Sequence, residues 1–174
     1  GYWNSAKQES VNFEVYTSDE WDQRTFPSLN KWIDNTRPNR QHTQGQRDYV
    51  LMRLADAYLI RAEARLKQGN SSGAASDINV IRTRAAWDGK EADMQITAAD
   101  VDVDMILDER ARELVGENHR WFDLTRMGKL VERVRLYNSD AQANIQSHHV
   151  VRPIPLSQID RTSGGYTQNP GYAQ

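Results

Sequence analysis

The sequence predicts a mainly α-helical fold in which a helical hairpin of the tetratricopeptide type is joined by further helices, with long irregular loops and little β structure. Two observations support the helices and a third supports the hairpin. Apolar residues recur at helical spacing from Asp48 to Ala86, and they do so again between residues 103 and 136. Gly69 and Asn70 interrupt the first stretch once, and so short a break lets two helices fold back on each other.

Composition and charge narrow the class of protein. The chain has 174 residues, of which 38% are hydrophobic and 26% are charged, as expected for one globular domain rather than for a disordered segment. Its net charge of -2 gives no overall field that attracts nucleic acid. It contains no cysteine, which excludes disulfides and thiolate metal sites, and no apolar run as long as a membrane span. It begins at Gly1 without a signal peptide, so we expect a trimmed piece or a mature segment.

The chain is expected to form a single domain over residues 1–174, in three parts. Residues 1–46 are an aromatic-rich segment of loops with one edge strand, and residues 47–137 form the helical core. Residues 138–174 form an extended or looped tail. Within that tail the two prolines of 150–155 push their predecessors out of helical geometry, so this stretch must be extended.

The edge strand is expected early in the chain. Hydrophobic and polar residues alternate from Val11 to Tyr16, which is typical of a half-buried strand. Pro27, Pro38 and Gly45 then divide the remainder of this part into loops.

The central hairpin is expected to start at Asp48. Its first helix carries an inward apolar stripe: Leu51, Leu54, Ala55, Tyr58, Ala62 and Leu66. A second face has mostly small residues, which suit a closely packed neighbouring helix: Ala57, Ile60 and Ala64. Gly69 is expected to end this helix in the left-handed conformation, and Ser71 or Ser72 to cap the next one. The second arm continues the helical period: Ala74, Ala75, Ile78, Ile81 and Ala85.

The hairpin is similar to a single tetratricopeptide unit. Ala55, Tyr58, Gly69 and Ala74 stand at the positions that this repeat favours. No second copy follows at the period of about 34 residues, and a repeat array needs about three units to bury a continuous core. Any further units of an array would therefore lie outside this chain.

Three more helices are expected after the hairpin. Thr97 caps the first of them, with Asp100 in the capping-box position, and this helix runs to about Glu117. Its inward face is apolar: Val103, Ile106, Leu107, Ala111 and Leu114. Shorter helices are expected over residues 121–127 and 130–136.

Glu109 and Glu113 share one helix face and raise the question of acid–base catalysis. Glu109 with Arg112, and Arg110 with Glu113, are spaced for intrahelical ion pairs. The pairing favours a structural network over a catalytic pair, so we assign no catalytic residues.

The segment that follows combines charged and aromatic residues. Arg120 and Asp123 are spaced to pair across one helical turn. Trp121 and Phe122 are expected to bury against the hairpin, and Trp121 is assigned to the core together with Trp32.

No metal or cofactor site is expected. Asp100, Asp102 and Asp104 resemble the start of a calcium loop, but the later glycine and glutamate of an EF-hand are missing; another arrangement around calcium stays open. His148 and His149 are adjacent, unlike zinc ligands that share a helix face at four-residue spacing. The sequence has no nucleophile elbow, phosphate loop or dinucleotide fingerprint.

The string from Asp108 to Arg126, DERARELVGENHRWFDLTR, closely resembles the ERRREL…E…RWFDL…R signature of the SusD/RagB family. Other segments agree with the same family in the same order: 26–32, 34–37, 47–48, 53–64, 78–82, 153–155 and 168–172. The sequence departs from the family pattern at Ala111, where arginine is usual, and at Asp56, where glutamate is usual. We expect both residues on solvent-facing sides of their helices.

The resemblance implies a function. Members of this family are mostly helical outer-membrane lipoproteins that capture oligosaccharides at the cell surface and pass them, uncleaved, to a SusC-like TonB-dependent transporter. Some relatives take peptides. The family's lipid-bearing N-terminal cysteine is not present here, and this sequence resembles the C-terminal part of a longer member.

Candidate ligand-binding residues are chosen by chemistry. Flat aromatic faces suit pyranose rings, and amide or guanidinium groups suit their hydroxyls. Residues 1–46 supply both kinds of group: Trp3, Tyr16 and Trp21 as faces, and Asn4 and Arg24 as donors. The alternative for each tryptophan is packing against another part of the protein.

Two other functions stay open. A helical module could bind a protein or peptide in the hairpin groove, as a scaffold or a peptide-capture protein. An enzyme could cleave glycans with Glu109 and Glu113, and loss of hydrolysis without unfolding after both are changed to glutamine would establish it.

Overall fold

The computed structural model describes most of the chain, in the following ranges: 2–4, 9–11, 17–22, 29–39 and 41–173. The chain divides into two units, Gly1–Asp48 and Tyr49–Gln174. Each unit is described by itself below.

The first unit is mostly irregular. Its strands β1 (Tyr2–Asn4) and β2 (Glu9–Val11) pair antiparallel, with Trp3 opposite Ser10. A 3-10 turn spans Asn30–Trp32. The edge strand predicted over residues 11–16 shares only Val11 with β2, and its other residues lie outside the described ranges.

Asp34 organises the loop that closes the first unit. Its Oδ1 accepts hydrogen bonds from Thr36 N at 2.9 Å and Thr36 Oγ1 at 2.6 Å, and its Oδ2 accepts from Gln46 N at 2.8 Å. The hydrogen bonds from Thr36, and then that from Gln46, lower the pKa of Asp34 to about 2. A single carboxylate thus ties together two ends of a loop that has no helix or strand to hold it.

The second unit confirms the mainly α-helical prediction. It contains six α-helices among the described residues: α1 (Leu54–Lys67), α2 (Ser71–Ala85), α3 (Val103–Glu113), α4 (Arg120–Arg126), α5 (Leu130–Tyr137) and α6 (Leu156–Arg161). It also contains three 3-10 turns: Ala92–Met94, Ala98–Asp100 and Ser147–Val150. Helices α1 and α2 form the predicted hairpin, and α3 packs on α1.

The turn of the hairpin is built from Gly69 and Asn70. Gly69 has φ 77°, the left-handed conformation that was predicted for the end of α1. The cap of α2 is Asn70 rather than Ser71 or Ser72, because Asn70 Oδ1 accepts a hydrogen bond from Gly73 N at 2.9 Å.

Helix α1 begins later than predicted, at Leu54 rather than Asp48. Arg53 is still extended, and its guanidinium binds Glu113 and Glu117. The predicted inward stripe therefore fails at its start: Leu51 precedes the helix and is 81% exposed, and Leu54 is 72% exposed.

The buried face of α1 is made by Ala55, Leu59 and Ala62. Together with side chains of α2 and α3 it forms one hydrophobic cluster, whose largest fully buried members are Leu59, Ile78 and Ile106. A second cluster joins α3, α4 and α5: Leu107, Leu124 and Leu130. The second face predicted for α1 is exposed, with Ile60 at 48%.

The capping box of Thr97 and Asp100 is confirmed, but it opens a 3-10 turn. Helix α3 starts after it, where Asp102 Oδ1 accepts a hydrogen bond from Met105 N at 2.7 Å. The predicted single helix is therefore a turn followed by α3, which ends at Glu113 rather than near Glu117.

Two further expectations for the C-terminal half are wrong. Phe122 is 63% exposed, and Trp121 packs partly buried against the Leu107 cluster rather than against the hairpin. The tail contains α6, because Pro155 ends the extended stretch and itself stands at the N-cap of a helix, where its missing N–H costs nothing.

A buried charge network ties α1, α3 and α4 together. Arg110 on α3 donates from Nε to Asp123 Oδ2 of α4 at 2.7 Å. Its Nη1 lies 2.8 Å from Asp56 Oδ1 of α1, an ion pair without hydrogen-bond alignment. Arg126 extends the network from Asp123 Oδ1 at 2.9 Å to Glu63 at 2.6 Å.

This network corrects several expected positions and pairs. Asp56 is 3% exposed rather than solvent-facing, and Ala111 is half-buried. Arg110 does not pair with Glu113, because it is turned inward to Asp56 and Asp123. Asp123 is held by Arg110 and Arg126, so the predicted pair with Arg120 does not form.

We predict that Arg110→Met lowers the free energy of unfolding by about 3–5 kcal/mol, because removing one member of a buried ion cluster leaves the buried Asp56 without a counter-charge and Asp123 with only Arg126. Lys90→Met is the matched control. It breaks the exposed pair with Asp93 and should cost less than about 1 kcal/mol. Urea unfolding of both variants measures the difference, and equal stabilities would show that the network does not hold the helices together.

Candidate functional site

The second unit contains a cavity of about 550 Å³ beside α3, α4 and α5. Its volume is within the range of small-molecule sites. Apolar side chains of α4, α5 and the turns after α5 form much of its lining: Leu124, Leu130, Val134, Ala141 and Ile145.

Polar and aromatic side chains complete the cavity lining: Asp108, Arg120, Trp121, Arg133, Tyr137 and Asn138. Helix geometry places three of these side chains. Arg133 and Tyr137 lie one turn apart on α5, and Asp108 lies one turn after Asp104, a residue of α3 outside the lining. Arg133 Nη1 donates to Asp108 Oδ1 at 2.6 Å, and Arg133 Nη2 donates to Asp104 Oδ1 at 2.9 Å.

Arg133 also holds Tyr137 in place. Its guanidinium carbon lies 5.3 Å from the centre of the Tyr137 ring, a cation–π contact within one helix. Tyr137 is nonetheless 71% exposed, so most of its ring is accessible at the mouth of the cavity.

Trp121 and Asn138 each have a contact that restrains the side chain. The Arg152 guanidinium lies 5.2 Å from the centre of the Trp121 ring and covers part of the indole. Asn138 Oδ1 accepts a hydrogen bond from Ala141 N at 3.0 Å, which leaves its NH₂ group to donate elsewhere. The cavity therefore combines fixed aromatic surface with amide and guanidinium donors, the groups that suit a polyhydroxylated ring.

The predicted binding residues all belong to the first unit, whereas the cavity is lined by residues of the second unit. Trp3 and Asn4 lie on β1, and Trp21 is 49% exposed in the first unit. Tyr16 and Arg24 lie outside the described residues. Their role stays a prediction.

The cavity residues were missed by sequence reasoning because Trp121 was assigned to the core. Trp121 is only half-buried. Two local signals pointed to the site: the dipeptide Arg120–Trp121, and Arg133 and Tyr137 at four-residue spacing on one helix. Neither signal shows that the two segments meet, since that depends on how α4 and α5 pack.

Glu109 and Glu113, the carboxylates considered for catalysis, are both ion-paired, as expected. Only one of the two predicted pairs forms, and the other partners are different arginines. Glu109 Oε2 accepts from Arg112 Nη2 at 2.7 Å, the predicted pair, and from Arg82 Nη2 at 2.8 Å. Glu113 binds Arg53 and Arg84. Burial acts to raise the pKa of Glu109, but the hydrogen bonds from the two arginines outweigh it and lower that pKa. Glu109 is therefore ionised at neutral pH and has no proton to donate.

Metal-binding geometry is not found in the described part of the chain. No group of three or more His, Asp or Glu side chains there is arranged to hold an ion. The centres of the His148 and His149 rings lie 4.1 Å apart. The His148 and Tyr172 rings are perpendicular to each other, with their centres 4.9 Å apart. None of the described helices has the length and apolar composition of a membrane span.

Comparison with known proteins gives consistent matches. A family model described as the SusD family matches residues 2–172. A SusD-like protein of Formosa agariphila is 34% identical over 164 residues, covering 81% of this chain and 29% of the relative. The starch-binding protein SusD of Bacteroides thetaiotaomicron is 34% identical over 152 residues, covering 83% of this chain and 26% of the relative. The chain therefore spans less than a third of the length of these relatives.

We predict that Glu109→Gln removes a pH-dependent contribution to stability. The folded-state pKa of Glu109 is below its ordinary value of 4.5, so the contribution is complete above that pH and is lost as the pH falls through the folded-state value. The stability difference between wild type and variant should therefore shrink below about pH 4.5. Urea unfolding across a pH series measures it, with the exposed Asp88→Asn as control; a difference that does not change with pH would contradict the expectation.

Proposed function

The chain belongs to the SusD family, and on that basis we propose that it takes part in non-catalytic capture of nutrient oligosaccharides at the cell surface. Captured sugar would be delivered to a SusC-like TonB-dependent transporter. The observation that carries this proposal is the match of the family model to residues 2–172, supported by similarity to a starch-binding protein.

The proposed location is the outer membrane, facing the outside of the cell. The membrane attachment would be a lipid anchor outside this chain, as the family resemblance implies. Because the chain covers 26–29% of the two relatives, the transporter partner and the transported substrate are proposals for the whole protein.

The cavity of the second unit suits sugar capture physically. A sugar ring can place its apolar face against Tyr137 while its hydroxyls accept from Arg120 and Asn138. In the first unit we propose additional contacts by the residues identified from the sequence: Trp3, Asn4, Tyr16, Trp21 and Arg24.

We also propose that the protein does not cleave its ligand. Glu109 and Glu113 are each held by two arginines, and neither lines the cavity. A glycosidase needs one carboxylic acid with a raised pKa and a second carboxylate facing the same bond. The lowered pKa of Glu109 is opposite to that requirement.

The first test is calorimetry of the intact protein against a panel of plant and host polysaccharides. We expect at least one to bind without release of shorter products. Tyr137→Ala should weaken binding about fivefold because one stacking face is lost. Tyr166→Ala is the matched control, an exposed tyrosine that does not line the cavity. Absence of binding to every polysaccharide would contradict glycan capture.

The alternative proposal is a helical module that binds a protein or peptide. The exposed apolar residues Leu54 and Ile60 on α1 favour it. Peptide binding by a protein that binds no polysaccharide would support this alternative.

A second prediction concerns delivery. The intact protein should co-purify with a TonB-dependent transporter from solubilised outer membranes, because transfer requires the two proteins to stay in contact. Fusion of the same affinity tag to an unrelated surface lipoprotein is the control. Isolation of the protein without any such transporter, under conditions that preserve other membrane complexes, would contradict delivery by this route.

A further inference from the structure

Arg120 carries a positive charge that forms no ion pair with the described residues. Its Nη1 donates to the backbone carbonyl of Leu107 at 2.8 Å, and no carboxylate of the described residues lies within ion-pair distance. The two carboxylates near it have other partners. Asp108 accepts from Arg133, and Asp123 accepts from Arg110 and Arg126.

This charge is also partly removed from water. Burial, and then repulsion from Arg133, lower the pKa of Arg120; attraction from Asp108 and Asp123 offsets this only in part, and arginine stays protonated at neutral pH. Arg110 is a more deeply buried arginine of the same unit, and it forms ion pairs with two carboxylates. A desolvated cation without an anion is unfavourable, and an anionic ligand would relieve it.

Arg120 opens onto the cavity described above. The same cavity presents the exposed Tyr137, part of the Trp121 indole and the amide of Asn138. A free inorganic anion would satisfy the cation but leave this aromatic surface unused. A neutral sugar would use the aromatic surface but leave the cation without a counter-charge. A sugar ring that carries a negative group uses both.

We propose that the cavity binds an anionic sugar residue, with its carboxylate or sulfate group on Arg120 and its ring against Tyr137 and Trp121. This inference rests on the proposed function and assigns a ligand class to it. The negative charge of Asp108, which also lines the cavity, is paired with Arg133, whose Nη1 donates to Asp108 Oδ1 at 2.6 Å. The net charge of the chain is -2, so selection depends on this local cation and not on the overall field.

The test compares matched charged and neutral ligands on the intact protein by calorimetry. One pair is an oligoglucuronate and its carboxyl-reduced form. The other is a sulfated galactan oligosaccharide and its desulfated form. We expect the charged member of at least one pair to bind about tenfold or more tightly, as a charge-assisted hydrogen bond provides. The pair that shows the difference identifies the anion.

Variants locate the effect. Arg120→Gln should abolish the preference for the charged member, so that the charged and neutral members of a pair bind equally. Arg120→Lys should keep part of the preference, because it retains the charge without the guanidinium geometry. Arg135→Gln is the matched control, since it removes an exposed arginine of α5 that does not line the cavity. Tyr137→Ala should weaken charged and neutral ligands equally.

Arg120→Gln also removes the hydrogen bond to Leu107, so its fold is checked by circular dichroism. If it is unfolded, the salt dependence of the wild-type protein replaces it, and rising ionic strength should weaken only the charged ligands. Equal affinity within both pairs, or a charged preference that survives in folded Arg120→Gln, would overturn the anionic-sugar inference while leaving glycan capture intact. Failure of the protein to bind any oligosaccharide would overturn both.

Discussion

The ion cluster centred on Arg110 is the contact on which the second unit most depends. Its guanidinium lies between Asp56 of α1 and Asp123 of α4, and all three side chains are nearly inaccessible to solvent. Charges buried this deeply are tolerated only when each has its counter-charge. The three helices therefore have little freedom to shift relative to one another, and the position of α4 fixes the residues at its start, Arg120 and Trp121.

The cavity depends on this arrangement. Asp123 is fully occupied by Arg110 and Arg126, so Arg120, three residues earlier, has no partner on its own helix. It turns to the carbonyl of Leu107 and to the cavity instead. The absence of an ion pair for Arg120 among the described residues thus follows from the pairing that stabilises the helices.

Two glutamates of α3 form ion pairs with a neighbouring helix. Glu109 and Glu113 each bind two arginines, including Arg82 and Arg84 of α2. These pairs attach α2 to α3. Both carboxylates therefore hold helices together.

Local patterns in the sequence determined helices α1 to α5, the turn at Gly69, the capping box of Thr97 and Asp100, and the family. Each of these depends on residues close together in the chain, where spacing is decisive. The start of α1 was not determined in this way, because Arg53 is held extended by Glu117, 64 residues away.

Only the tertiary structure decided which charges are buried and where a cavity forms. Asp56 was expected at the surface and is buried, and Trp121 was expected in the core and lines a cavity. The physical reason is that a helical sequence gives the direction of each side chain around its own axis but not the partner that faces it. Ion pairs and cavities are properties of facing helices, so they arise only when α1, α3, α4 and α5 pack.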